Sequence, residues 1–250
     1  MSEEGRKVGR IRDSWLANLT SRSIVRVVTT APLSVVLLAA GGGTRFGGDK
    51  LLASVGGRPV IDLCLDALEG SSLVARVVVV APVPSPVADH ATQARTLPVT
   101  VVPGGATRHL SERAGLAAVL AAGPTELLAF HDAARPFLTP ALIASLVATV
   151  ADADGAVPVV PAGETLFRRE GDRAHRLAPE PVRVQTPQVF RTDVVVEAFT
   201  RPDGEHDADT SETVARTGAR IAVVPGDERN LKITHPIDLA RSRAFAKGRP

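Results

Sequence analysis

The sequence predicts a doubly wound α/β domain with a mostly parallel sheet and a projecting β-arm. Three observations predict it. From Pro32 onward, short Val- and Leu-rich runs alternate with amphipathic stretches, the pattern of successive strand–helix units. The runs VVLLAA (35–40) and VVVVA (77–81) are continuously apolar, as strands buried on both faces are. Residues 161–184 then break the alternation with a polar, charged segment in which Glu170-Gly171-Asp172 reads as a turn between two short extended pieces.

Taken in order, strands are expected at 34–40, 76–81, 99–102, 127–130, 156–160 and 220–224. Amphipathic helices are expected near 59–68, 86–95, 110–122 and 140–151. Thr139-Pro140 gives the last of these a good start, with Thr as N-cap and Pro at the first helical position. Segment 161–184 is expected to project as a hairpin arm. In open α/β sheets ligands sit beyond the carboxyl ends of the strands, so the loops after these runs should carry the chemistry.

Composition bounds the function. The chain has 250 residues, 44% hydrophobic and 22% charged, enough to bury a core without disulfides or structural metal. One cysteine excludes a disulfide framework and paired-cysteine zinc or redox motifs. It is Cys64, on the apolar face of an expected helix with Val60, Ile61 and Leu68, which reads as core. No apolar run reaches the roughly 18–20 residues of a membrane-spanning helix, and 3% aromatics with no Tyr argues against base-stacking nucleic-acid modules.

Net charge is +2, but residues 1–30 carry six basic against three acidic side chains and residues 241–250 carry four basic and none acidic. The body between them is therefore mildly acidic, which is not a nucleic-acid footprint. Residues 1–30 lack the apolar core of a secretory signal, and their acids at 3, 4 and 13 count against an organellar transit peptide. They are expected to be a disordered cytosolic extension with some helix around 13–19, ahead of a single domain over 31–250. The protein is expected to be cytoplasmic, without nucleic-acid or membrane partners.

The loop after the first strand, LAAGGGTRFGGDK (38–50), suits a triphosphate. Its glycines let backbone N–H groups approach an anion, Arg45 can fork onto phosphate oxygens, and Lys50 supplies a point charge. The familiar phosphate fingerprints are absent: Gly48 is followed by Asp49 rather than by the Lys of a Walker loop, and Phe46 stands where a dinucleotide motif needs Gly. HDAARP (131–136) places Asp132 at a strand's carboxyl end, where it can hold Mg²⁺ against phosphates, with Arg135 near enough to grip an acceptor phosphate. GGATRHLSE (104–112) offers two glycines, Arg108 and Ser111 for a base or ribose. VQTPQVF (184–190) and DERNLKITHPIDL (227–239) complete the set.

In this order HDAARP, QTPQVF and NLKITHPIDL resemble the 2-C-methyl-D-erythritol 4-phosphate cytidylyltransferases of isoprenoid synthesis, with relatives that use ribitol 5-phosphate. The resemblance runs from about residue 33 to 242. It implies a Rossmann-like fold of the nucleotide-diphospho-sugar transferase type, dimerised through the 161–184 arm. It also implies a Mg²⁺-dependent reaction of CTP with a small alcohol phosphate, giving a CDP-alcohol and pyrophosphate.

Carried over by residue, the resemblance makes Arg45, Lys50 and Lys232 catalytic, with Lys232 also facing the acceptor. Ala39, Ala40, Gly41, Gly43, Gly105 and Ser111 would hold the nucleotide; Arg135, Thr165 and Thr186 the acceptor; Asp132 and Asp209 the Mg²⁺. The acceptor's own phosphate would attack the α-phosphorus of CTP, so catalysis would be positioning and charge neutralisation.

The sequence departs from the family pattern mainly on the acceptor side. The arm reads Glu164-Thr165-Leu166-Phe167 where D-T-x-K is usual, and Ala178 replaces an arginine eight residues before the Thr of QTPQ, with Arg176 and Arg183 nearby. Around Asp209, Glu212 and Ala215 stand in place of Ser and Glu. RFGGDKLL (45–52) reads more like the molybdenum-cofactor nucleotidyltransferases. Three readings therefore compete. They are a cytidylyltransferase for methylerythritol phosphate or another polyol phosphate such as ribitol 5-phosphate, a molybdenum-cofactor nucleotidyltransferase, and a catalytically degenerate nucleotide-binding homologue.

Overall fold

The computed structural model describes residues 31–41, 46–177, 180–201 and 209–247. The expectations for residues 1–30, and those for Gly43, Arg45 and Ala178, lie outside the described residues.

Strand β1 (Leu33–Leu38) is the centre of the sheet, paired in parallel with β4 (Val74–Ala81) on one side and β6 (Leu127–Asp132) on the other. Beyond β4 lies β5 (Val99–Pro103), also parallel. Beyond β6 the sheet turns mixed: β11 (Gln188–Arg191) runs antiparallel to β6 and to β7 (Gly155–Pro161). β7 also pairs antiparallel with β10 (Val182–Val184) and parallel with β12 (Ile221–Pro225). The architecture is the doubly wound, mostly parallel sheet that the apolar runs predict, with β11 added as an antiparallel insertion. A small ribbon, β2 (Ser54–Val55) with β3 (Arg58–Pro59), follows the first loop.

Helices cover both faces because alternate strand residues point to opposite sides. On one face Leu33, Val35 and Leu37 of β1 pack with α1 (Val60–Glu69), α2 (Pro86–Ala91), α4 (Pro140–Val150) and α7 (Pro236–Lys247). On the other, Val36, Leu128 and Phe130 pack with α3 (Arg108–Ala121), α5 (Thr192–Thr200) and α6 (Thr210–Ala215). Gly115 lets α3 lie on the sheet, since a side-chain carbon there would overlap Val36. Cys64 is fully buried in the first core, and burial pushes its thiol far above the ordinary range. Thr139 caps α4, its hydroxyl accepting from the Leu142 N–H at 3.3 Å, with Pro140 at the first helical position.

Two boundaries differ from expectation for identifiable reasons. The helix expected over 86–95 ends at Ala91, because Arg95 is drawn off to Asp62, Asp66 and Glu69 beside α1. The arm is shorter than 161–184. Its hairpin is β8 (Phe167–Glu170) with β9 (Arg173–Arg176) around Gly171 at φ +63°, whereas Val182–Val184 rejoins the main sheet on β7.

Candidate active site

The sheet register decides where the chemistry-bearing loops meet. Leu38 of β1 stands opposite Asp132 of β6 and Val80 of β4, and Val80 stands opposite Val102 of β5. The carboxyl ends of these four strands are level, so the loops after β1, β5 and β6 share one rim. The antiparallel β11 begins at that rim, since Gln188 pairs with Phe130, and β12 reaches it through Pro225 opposite Val159. Five motifs far apart in sequence are thereby gathered.

At the nucleotide side, Ala39 bonds through its N–H to the Val80 carbonyl at 2.8 Å, which holds the chain leaving β1 against β4. A side-chain carbon at Gly104 would overlap Ala40, and one at Gly105 would overlap Leu110. The two glycines are required by this close approach. Ser111 ties the same loop to α3: its hydroxyl accepts from the Gly105 N–H at 3.1 Å and donates to the Thr107 carbonyl at 3.0 Å. Ala39, Ala40, Gly105 and Ser111 are thus brought together, beside Gly41. Lys50 lies in the turn that follows, where Asp49 accepts from the Leu51 N–H at 3.0 Å.

Asp132 is the electrostatic centre. One carboxylate oxygen accepts from Arg108 at 2.9 Å, the other pairs with Lys232 at 2.8 Å, and Arg135 stands 3.7 Å away. Burial alone would raise this carboxyl, but Lys232, Arg108 and Arg135 together overcome it and hold the group far below the ordinary carboxylate range. Arg108 is shared with Glu112 at 2.9 Å, and Glu112 also accepts from the Thr210 hydroxyl at 2.9 Å. Burial raises the Glu112 carboxyl more than Arg108 lowers it. Nη2 of Arg108 is buried without a hydrogen-bond partner, and Nε of Arg135, equally buried, faces Asp132 at 3.7 Å.

A second network fixes the backbone around that carboxylate. His131 is fully buried, and its Nε2 faces the Arg135 carbonyl at 3.4 Å. A carbonyl only accepts, so Nε2 carries the proton and Nδ1 accepts from the Thr186 hydroxyl at 3.0 Å. The same Thr186 oxygen accepts the Asp132 N–H at 3.0 Å. Burial lowers the His131 pKa to about 4, against the opposing pull of Asp132, so the ring is neutral. Asn230 donates to the Thr186 carbonyl at 2.9 Å, and the Asn230 carbonyl accepts from Arg135 at 2.7 Å and from Gln185 at 3.3 Å. HDAARP, QTPQ and the loop before Lys232 are therefore one hydrogen-bonded unit.

Two of the expected site residues carry structural hydrogen bonds. Thr186, expected to touch the acceptor, is buried and spends its hydroxyl on His131 and Asp132. Asp209, expected as a metal ligand, is the N-cap of α6, its Oδ1 accepting from the Ser211 hydroxyl at 2.6 Å and the Glu212 N–H at 3.2 Å. Its helix still meets the site, through Thr210, Glu112 and Arg108. Thr165 is exposed at the base of the arm. Among the described residues no group of three or more His, Cys, Asp and Glu side chains is gathered. A metal beside Asp132 would then draw most of its ligands from phosphate and water, which suits Mg²⁺.

Comparison with known proteins now bears on this geometry. The family model for 2-C-methyl-D-erythritol 4-phosphate cytidylyltransferase matches residues 33–247. The chain belongs to this family. The Cereibacter sphaeroides enzyme of that name is 38% identical over 227 residues, covering 86% of this chain and 96% of the relative. A crystal structure of the Thermus thermophilus enzyme aligns with TM-score 0.69 at 33% identity, covering 86% of this chain and 99% of that one. A bifunctional enzyme from Dinoroseobacter shibae is also 38% identical over 226 residues, and there the chain spans 56% of the relative's length. Family membership makes the chain a CTP-dependent cytidylyltransferase of isoprenoid synthesis and sets aside the molybdenum-cofactor reading, which rested on the first loop alone.

The Arg108–Glu112 ion pair and its link to Asp132 were not anticipated from the sequence. Arg108 reads from the sequence as a base- or ribose-facing residue. Its four-residue spacing to Glu112 at the start of a helix was the available signal for an ion pair.

Proposed function

We propose that the rim above β1, β5 and β6 binds CTP and that the region around Arg135 and Lys232 binds the acceptor, 2-C-methyl-D-erythritol 4-phosphate. Ala39, Ala40, Gly41, Gly43, Gly105 and Ser111 hold cytosine and ribose, largely through backbone groups. Arg45 and Lys50 neutralise the triphosphate. An oxygen of the acceptor's phosphate forms a bond to the α-phosphorus of CTP as the bond to the bridging oxygen breaks and pyrophosphate leaves. Lys50, Lys232 and Arg45 stabilise the charge that gathers on the five-coordinate phosphorus. The observation that carries this reading is the meeting of Arg108, Arg135 and Lys232 on Asp132, a strongly acidic carboxylate at the strand end where the nucleotide loops converge.

Asp132 would hold Mg²⁺ here, and Asp209 would join it as the second carboxylate only alongside its capping bonds at the start of α6; the ion would supply charge neutralisation at the triphosphate. Thr186 acts through Asp132 rather than on the acceptor. Thr165 lies on an arm whose hairpin is solvent-exposed on both strands, and a homodimer in which that arm meets a second copy brings it to a site. The departures Phe167 and Ala178 favour a second acceptor reading, ribitol 5-phosphate. Calorimetric titration with CTP and GTP in the presence of Mg²⁺ tests the nucleotide assignment: binding of CTP alone is expected, and tighter binding of GTP would refute it.

A further inference from the structure

A cavity of about 520 Å³ opens between the β7–β10 edge of the sheet, the loop 226–232 and α7. That is within the range for small-molecule sites, roughly 300–1,000 Å³. Four cations line it, Arg135, Lys232, Arg183 and Arg241, against two carboxylates, Glu228 and Asp238. Asp238 is committed to its own helix start, where Oδ2 accepts the N–H groups of Thr234 at 3.0 Å and His235 at 2.8 Å. The lining thus carries a net charge of +2, matched to a phosphate monoester, which holds about −1.5 to −2 at neutral pH. Leu231 and Phe245 add an apolar wall suited to a short carbon chain.

Arg135 and Lys232 also touch Asp132, so one end of the cavity is continuous with the transfer site. Arg183 and Glu228 stand apart from that carboxylate and are joined to each other: Nη2 of Arg183 donates to both Glu228 oxygens at 3.0 and 2.9 Å, while Nε reaches the Pro161 carbonyl at 3.5 Å. The Pro161 contact fixes the guanidinium at the end of β7. Burial is the main influence lowering the Arg135 pKa, and the Arg183 charge adds to it, which places both cations in one electrostatic space. A guanidinium locked to a carboxylate offers donors and acceptors side by side, which is what a row of hydroxyls needs: each hydroxyl both donates and accepts.

We propose that the Arg183–Glu228 pair is a specificity element of the acceptor site, reading the hydroxyl-bearing end of a polyol phosphate whose phosphate end lies at Arg135 and Lys232. The proposal rests on the cytidylyltransferase reading and names the residues that set acceptor choice within it. Both side chains are half or more exposed, so their replacement should leave the fold intact, with thermal midpoints expected within about 2 °C of the parent.

The test is steady-state pyrophosphate release by the full chain, its Arg183→Gln variant and its Glu228→Gln variant. Methylerythritol phosphate is varied at saturating CTP, then CTP at saturating acceptor. Arg183→Gln is expected to raise the KM for methylerythritol phosphate about ten- to a hundredfold, the loss of a charge-assisted contact, with kcat and the KM for CTP within twofold of the parent. Glu228→Gln is expected to change the ratio of kcat/KM for methylerythritol phosphate to that for ribitol 5-phosphate at least fivefold. Acceptor KM values within twofold of the parent in both variants would reduce the pair to a surface ion pair and overturn the proposal. Silence of the unmodified enzyme with both acceptors would instead overturn the cytidylyltransferase reading, and this proposal with it.

Discussion

Replacing Thr186 with Val isolates the hydroxyl that joins the QTPQ segment to Asp132. The change is nearly isosteric, so packing is preserved while two buried partners lose their bonds: the Asp132 N–H and His131 Nδ1, each 3.0 Å from the oxygen. A buried polar group left unsatisfied costs about 1–3 kcal/mol. Two of them give roughly 4 kcal/mol, and at about 2–4 °C per kcal/mol for a chain of this size the thermal midpoint should fall by about 8–16 °C. Thr186→Ser keeps the hydroxyl and loses one methyl group, about 1 kcal/mol, or 2–4 °C. Scanning calorimetry of the three proteins, with pyrophosphate release measured at 25 °C, gives both readings. The Ser variant should keep most of the parental turnover and the Val variant should lose most of it, because Asp132 is no longer held. A Val variant that melts within 2 °C of the parent would refute the positioning role and return Thr186 to the acceptor.

Lys50→Ala should abolish turnover while the far-ultraviolet circular dichroism spectrum is unchanged; an active variant removes Lys50 from the mechanism. Gly105→Ala forces Leu110 to move and should raise the KM for CTP at least tenfold, with a smaller effect on the acceptor, as initial-rate kinetics would show. Cys64 should not react with a thiol reagent in the native state and should react fully in denaturant; fast native labelling would contradict its burial. Burial opposes, but Arg58 and Arg95 outweigh it, in lowering the Asp66 pKa. A depressed carboxylate stabilises the fold above its unfolded value near 4 and loses that contribution as pH falls through the folded value. The stability gap between parent and Asp66→Asn should therefore be present at pH 7 and close on acidification, and a gap that widens towards acid would contradict the ion pairs.

Much of the fold was legible because parallel strands buried on both faces write themselves as continuous apolar runs, as at 35–40 and 77–81. β11 was hidden because QVFR is short and contributes to the sheet only through its antiparallel pairing with β6, a long-range event with no local mark. Helix α7 was hidden by its even mixture of Arg, Ala and apolar residues, and its core-facing Leu239 and Ala246 are only partly buried. The site shows the same division. The strand-end position of Asp132 and the crowded glycines 104 and 105 follow from local sequence. That Thr186 faces inward to His131 depends on how segments more than fifty residues apart close on one another, whereas the Asp209 cap is local, three residues before the Glu212 N–H it accepts from.

The most direct test of the account is release of pyrophosphate from CTP in the presence of Mg²⁺, with 2-C-methyl-D-erythritol 4-phosphate and ribitol 5-phosphate in parallel. The account predicts rapid release with methylerythritol phosphate, lost on chelation and restored by added Mg²⁺. Release with ribitol 5-phosphate alone would contradict the acceptor assignment, and CTP binding without release from either would contradict the claim that this site catalyses transfer.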